Sequence, residues 1–265
     1  MTTPFEKQIL SDAGPPQGAR APVGGSAARA AASVGAVRTR IKICGLTREA
    51  DVDTAVAAGA DAIGFVLYSK SPRHVPLARA AELVRRLPPF VTPVLLFVNE
   101  KQANINAACD AIPTACLQFH GDETPAQCLL ATRQGTRPFL RAARIPLGDA
   151  GRDFDLVKYA LDYSKAQAIL LDAQVDGYGG GGHAFNWSLL PPNVNAHLVL
   201  SGGLSAANVG DGIRQLRPRA KSLAVDVSSG VELSGPGNQG LKDPEKIRQF
   251  VAAVRAADRQ FEAPN

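Results

Sequence analysis

From Arg40 onward, short apolar runs rich in branched residues alternate with helix-patterned stretches at a steady pitch, and no linker-like segment interrupts them. Strands are expected at 40–44, 62–67, 93–98, 115–119, 137–141, 168–172, 197–201 and 222–227. Helices fit between them, for example at 48–58, 76–87, 125–134 and 206–216, with a last one at 244–257. Parallel strands need a crossover the length of a helix, so this alternation calls for a parallel sheet. Eight unbroken units predict an α/β chain closed into a single (β/α)8 barrel of the TIM type. The rival is an open doubly wound sheet. Its glycine fingerprint is missing after the first strand, where Cys44-Gly45-Leu46-Thr47 stands instead.

Length and composition agree with one large core: 265 residues, of which 45% are hydrophobic. Residues 1–37 are rich in Ala, Gly, Pro, Ser and Arg without lasting periodicity, so a disordered tail is expected there and the barrel domain over 38–265. Arg20 and Arg29 interrupt the apolar centre a secretory signal would need, and Glu6 and Asp12 are foreign to a transit peptide. No apolar run approaches the ~20 residues of a membrane span. The 29 Lys and Arg against 24 Asp and Glu give a net charge of +5. They are scattered rather than gathered with aromatics, which suits a small anionic substrate and argues against nucleic acid. Cys44, Cys109, Cys116 and Cys128 form no C-x-x-C pair and read as reduced thiols of a cytoplasmic protein.

In such a barrel, chemistry sits where strands end at their carboxyl side. Side chains alternate along a strand, so Lys42 and Cys44 share one face and Ile41 and Ile43 the other. With the isoleucines packed on helices, the thiol points into the barrel near its mouth. Gly45 permits a turn or a close approach, and Thr47, with Glu49 and Asp51 behind it, is expected to start a helix. The second strand leads to Ser71-Pro72-Arg73, where a planar guanidinium suits a carboxylate. The sixth ends at Asp172, a carboxyl that burial would push toward neutrality as a proton donor; a helix cap or ion-pair role is the other reading. Gly202 and Gly203 after the seventh strand, and Ser228, Ser229 and Gly230 after the eighth, expose amides and hydroxyls where such barrels hold phosphate. Closure brings the eighth strand beside the first, so Asp226 is expected to neutralise Lys42, with the lysine lowering the Cys44 thiol pKa from about 8.5. A purely structural pair is the alternative.

Taken in order, these stretches resemble the phosphoribosylanthranilate isomerase family of tryptophan biosynthesis: Lys42-Ile43-Cys44-Gly45-Leu46-Thr47, Gly64-Phe65-Val66, Ser71-Pro72-Arg73, Phe97-Val98-Asn99, Gln118-Phe119-His120-Gly121, Leu171-Asp172-Ala173, Gly202-Gly203-Leu204 and Asp226 through Glu232. The resemblance implies a cofactor-free Amadori rearrangement of N-(5-phosphoribosyl)anthranilate to 1-(2-carboxyphenylamino)-1-deoxyribulose 5-phosphate. Carried over by position, Asp172 is the general acid, Cys44 the general base and Arg73 the anchor of the anthranilate carboxylate. Gly202, Gly203, Ser228, Ser229 and Gly230 match the phosphate cradle, and His120 and Asp226 are placed with these substrate-binding residues. Neither proton transfer calls for a metal, and the four histidines show no ligand spacing.

The family often reads Gly-Gly-Thr-Gly-Lys followed by Phe-Asp-Trp in its glycine loop. Here Gly181, His183 and Asn186 replace the threonine, lysine and aspartate. A related phosphosugar isomerase of histidine biosynthesis carries an aspartate at the position of Cys44, so the cysteine argues against it. A non-catalytic phosphate-binding barrel would need neither Cys44 nor Asp172. The chain is expected to act as a monomer or a homodimer.

Overall fold

The computed structural model describes residues 38–174, 178 and 184–262. The expectations for the tail at 1–37 and for Gly181 and His183 fall outside these residues. Eight parallel strands close into one barrel in sequence order: β1 (Arg40–Cys44), β2 (Ala62–Val66), β3 (Thr92–Phe97), β4 (Cys116–Phe119), β5 (Phe139–Ile145), β6 (Ala168–Ala173), β7 (Val194–Leu200) and β8 (Ala220–Val227). The ring closes where β8 pairs with β1, with Lys42 opposite Asp226. Around it lie α1 (Glu49–Ala58), α2 (Leu77–Val84), α3 (Gln102–Ala111), α4 (Pro125–Ala131), α5 (Leu156–Asp162), α6 (Val209–Leu216) and α7 (Pro244–Glu262).

Strand faces sort the side chains. Outward residues such as Ile41, Ile43, Ile63, Phe65, Leu95, Phe119 and Val225 join the helices in one continuous apolar layer. Burial of each such side chain contributes roughly 1.5–3 kcal/mol. The rings of Phe97, Phe119 and Phe139 continue this layer across three neighbouring strands, with centroids 6.3 and 5.8 Å apart. Inside the barrel a small plug of Ala142, Ala168, Leu170 and Val199 fills the floor, and the polar residues stand above and beside it.

Three local expectations are corrected. Strand β5 runs to Ile145 rather than stopping at 141, because Arg141 and Arg144 break the apolar signal without breaking the strand. The buried Arg141 donates to the carbonyls of Phe119 and Gly121 and lies over the Tyr163 ring. Thr47 does not cap α1. Arg48 occupies the cap position without a side-chain bond, and the Thr47 hydroxyl donates to the Gly240 carbonyl at 3.3 Å. Helix α7 runs to Glu262 rather than 257, packing on α1 and α6.

That last turn carries Asp258, which is buried and ties the start of β1 to the end of the chain. It accepts from Thr39 N (2.9 Å) and Thr39 Oγ1 (2.5 Å), from Arg217 (2.5 Å) and from Arg255 (3.2 Å). Removing a buried acid leaves its cations without compensation. Asp258→Ala is therefore expected to lower unfolding free energy by about 3–5 kcal/mol in a denaturant titration. A loss below ~1 kcal/mol, the level of an exposed pair, would show the knot to be incidental.

Candidate active site

The carboxyl ends of the strands surround one cleft. It is lined by Cys44, Arg73, Gln118, His120, Asp172, Gly202, Gly203, Asp226, Ser228 and Ser229, together with Tyr68, Ser71, Tyr178 and Ser201. The candidate residues from six strand ends thus converge. Gly230 does not line the cleft: a Cβ there would stand 1.9 Å from the Leu204 carbonyl oxygen, so its missing side chain lets the loops after β7 and β8 touch.

Cys44 ends β1 and is buried, its thiol turned inward as the alternation of faces requires. Room for it comes from Gly64 on the neighbouring strand, whose register partner it is. A Cβ on Gly64 would lie 2.7 Å from Cys44 Sγ and 3.1 Å from Lys42 Nζ. Below the thiol, Lys42 Nζ donates to Asp226 Oδ1 at 2.9 Å, both side chains 5% exposed. Burial works against the Lys42 ammonium, but Asp226 and Cys44 outweigh it and hold its pKa above the usual range. For Cys44 the balance reverses. Burial pushes the thiol up and Lys42 only partly offsets it, so the expected lowering is overturned: desolvation is the larger effect. The other buried thiols have no place in the cleft. Desolvation pushes Cys116 and Cys128 up to about 12.

Across the cleft, Asp172 near the end of β6 is buried and takes two hydrogen bonds. His120 Nε2 lies 2.9 Å from Oδ2, and the Ala173 amide donates to Oδ1 at 3.0 Å. Gln118 Nε2 stands 2.9 Å from His120 Nδ1. With Gln118 Nε2 as the donor, Nδ1 accepts and Nε2 is the nitrogen that faces the carboxyl. Gln118 and His120 thereby aim Asp172 and leave Oδ1 on the Gly202 side. Gly202 has φ +76°, and a Cβ there would press to 3.0 Å from Oδ1. Glu123 and Arg141 brace the turn that carries His120, through Gly121 N (2.9 Å) and Gly121 O (3.0 Å).

His120 and Asp226 both line the cleft, each engaged by protein partners. Both ring nitrogens of His120 are engaged beside Asp172, so it belongs to the acid's surroundings rather than to an anion cradle. Asp226 meets Lys42 as barrel closure predicts, with Ser201 Oγ 3.5 Å from its other oxygen, and like charge disfavours it beside a phosphate. The residues suited to an anion are Gly202, Gly203, Ser228 and Ser229. Among the described residues their amide N–H groups donate to no partner. Ser228 is itself fixed, its hydroxyl donating to the Cys44 carbonyl at 3.1 Å.

Arg73 lines the cleft beside the Ser228 loop but is not a loose cation. Its Nε and Nη2 fork the Glu232 carboxylate at 2.6 and 2.9 Å. Glu232 also takes Lys242 Nζ at 3.0 Å. Burial works against the Glu232 carboxylate, yet Arg73 and Lys242 hold its pKa below the ordinary value. Burial depresses the Lys242 ammonium despite Glu232. Lys242, buried after the eighth strand and far along the chain from Arg73, had no local signal in the sequence. Asn186 caps the short 3-10 turn Trp187–Leu189, accepting from Ser188 N at 3.1 Å, a role its amide oxygen fills as an aspartate would.

The fit of Gly64 to the thiol is directly testable. Gly64→Ala overpacks a closed wall and is expected to cost about 1–3 kcal/mol of stability in a denaturant titration. An unchanged midpoint would mean that the thiol has another place to go.

Comparison with known proteins places this site. The sequence model of the N-(5'phosphoribosyl)anthranilate (PRA) isomerase family matches residues 41–253. The chain is 60% identical over 227 residues to the N-(5'-phosphoribosyl)anthranilate isomerase of Methylibium petroleiphilum, covering 86% of this chain and 99% of the relative. It is 59% identical over 225 residues to that of Dechloromonas aromatica, covering 85% and 100%. Among solved structures it superposes on the phosphoribosyl anthranilate isomerase of Thermotoga maritima with a TM-score of 0.69 and 35% identity, over 82% of this chain and 99% of that one. It also superposes, with a TM-score of 0.67, 34% identity and the same coverage, on an isomerase solved in complex with reduced 1-(o-carboxyphenylamino)-1-deoxyribulose 5-phosphate. With its barrel, its strand-end residues and these relatives in agreement, the chain belongs to the N-(5'-phosphoribosyl)anthranilate isomerase family.

Proposed function

We propose that Cys44 and Asp172 are the base and the acid of the isomerisation that names the family, a step of tryptophan biosynthesis. The observation that carries this reading is their placement: one thiol and one carboxyl, from strands three apart around the ring, open into the same cleft. An aldose-to-ketose shift needs one proton donor and one acceptor on a bound sugar. Each positioned group is worth ~10²- to 10⁴-fold in rate.

Asp172 gives a proton to the ribose ring oxygen as the bond from that oxygen to C1 breaks, leaving a protonated Schiff base between C1 and the aryl nitrogen. The Cys44 thiolate then takes the C2 proton, and the C2–H electrons form a double bond to C1 while the nitrogen is neutralised. The resulting enolamine moves its hydroxyl proton to C1 and becomes the ketone. Lys42 favours the thiolate against burial, and His120 keeps Asp172 directed at the sugar. The amides of Gly202, Gly203, Ser228 and Ser229 receive the phosphate, and Arg73 takes the anthranilate carboxylate with the guanidinium edge outside its fork. Anchors at both ends hold C1 and C2 between the two proton-transfer groups.

Four free cysteines among the described residues support a reducing, cytoplasmic setting. No described helix is long and apolar enough to cross a membrane. A monomer or a homodimer is the expected assembly, a dimeric phosphoribosylanthranilate isomerase of Thermotoga maritima being among the structures the chain resembles.

The test is the loss of N-(5-phosphoribosyl)anthranilate fluorescence with wild type, Cys44→Ala and Asp172→Ala. Wild type is expected to consume substrate, and each variant to lose ~10²-fold or more in kcat while keeping its fold. A variant within ~3-fold of wild type would remove its residue from the mechanism.

A further inference from the structure

Resting on the reading that Arg73 meets the substrate carboxylate, we propose that the buried Lys242–Glu232 pair is the positioning device that makes this isomerase select a carboxylate-bearing aryl group. Arg73 faces a conflict between being held and staying charged. A free arginine in a loop would lose side-chain entropy on binding, whereas the two-pronged bond to Glu232 at 2.6 and 2.9 Å fixes its plane beforehand. That bond alone would place a carboxylate against the guanidinium and cancel the charge a second carboxylate must find.

Lys242 resolves the conflict. It is fully buried, sits 3.0 Å from the Glu232 oxygen that Arg73 also uses, and makes the cluster two cations to one anion. The surplus positive charge stands at the cleft through Arg73, the member of the three that lines it. Carried by buried side chains, this charge acts at greater strength than on the surface. The same ammonium donates to the Ser228 carbonyl at 3.0 Å. The Ser228 hydroxyl in turn holds the Cys44 carbonyl. One buried side chain thus fixes the carboxylate wall relative to the anion wall and the base.

The experiment compares kcat/KM for N-(5-phosphoribosyl)anthranilate with that for N-(5-phosphoribosyl)aniline, which lacks the carboxylate. Their ratio reads charge recognition and is insensitive to a uniform loss of activity. Arg73→Met is expected to collapse the ratio. Lys242→Met is expected to lower it ~10- to 10²-fold, because Glu232 then neutralises Arg73. Lys242→Gln, which keeps a donor without the charge, is expected to behave alike. Adding Glu232→Gln to Lys242→Met restores the net charge and should recover much of the ratio, whereas a merely structural cluster would be further damaged by the second change. If Lys242→Met and Lys242→Gln keep the wild-type ratio, or the double variant falls below the single, the proposal is overturned while the Arg73 reading stands. An unchanged ratio in Arg73→Met overturns both. Melting curves identify any variant that fails to fold; where Lys242→Met does, Lys242→Gln carries the same test, and the double variant, with the net charge of wild type, is expected to keep a ratio near that of wild type, a collapsed ratio overturning the proposal.

Discussion

A lysine and an aspartate meet inside the barrel at the seam where the last strand closes on the first, and the site is built upward from that pair. Lys42 and Asp226 are register partners with Nζ and Oδ1 2.9 Å apart. Either one alone would be an uncompensated charge in the interior, which is far costlier than the pair. Seam and site are therefore one feature: slipping β8 by one residue would turn Asp226 outward and strand Lys42. Above the pair sits Cys44, buried deeply enough that desolvation outweighs the nearby cation. Burial thus holds the thiol pKa up against the pull of Lys42.

The remaining polar residues are held by buried partners rather than left to search. Gln118 and His120 aim Asp172, Glu232 and Lys242 aim Arg73, and Ser228 ties the loop after β8 to the backbone of Cys44. Such networks stabilise little on balance, since each charge gives up its hydration. Their effect is geometric, and proton transfer between fixed groups depends on geometry first.

Much of this was legible before any coordinates. Alternating apolar runs determined the barrel because parallel strands require helical crossovers, and the period of two along β1 separated Lys42 and Cys44 from Ile41 and Ile43. Strand-end positions led to Asp172, Arg73 and the glycine and serine clusters. What stayed hidden were interactions between residues far apart in the chain. Arg73 read as a free fork because Glu232 lies 159 positions away, and Lys242 carried no pattern at all. The Lys42–Asp226 pair follows from barrel closure as the sequence predicts, whereas the contact of His120 with Asp172 joins residues 52 positions apart and has no local signal. For the Cys44 thiol the sign was misread: sequence shows the neighbouring cation, whereas the depth of burial that outweighs it appears only in three dimensions.

The most direct test of this account is the pH at which Cys44 ionises, read from the rate of iodoacetamide labelling at that residue by mass spectrometry, in wild type and Lys42→Met. Burial raises the folded thiol, so labelling should increase with pH through a midpoint above the ordinary value of about 8.5. Removing the cation should move that midpoint higher still, with catalysis following the same shift. A wild-type midpoint below 8.5, or one unmoved in Lys42→Met, would contradict the claim that the base is governed by burial set against the pair at the seam.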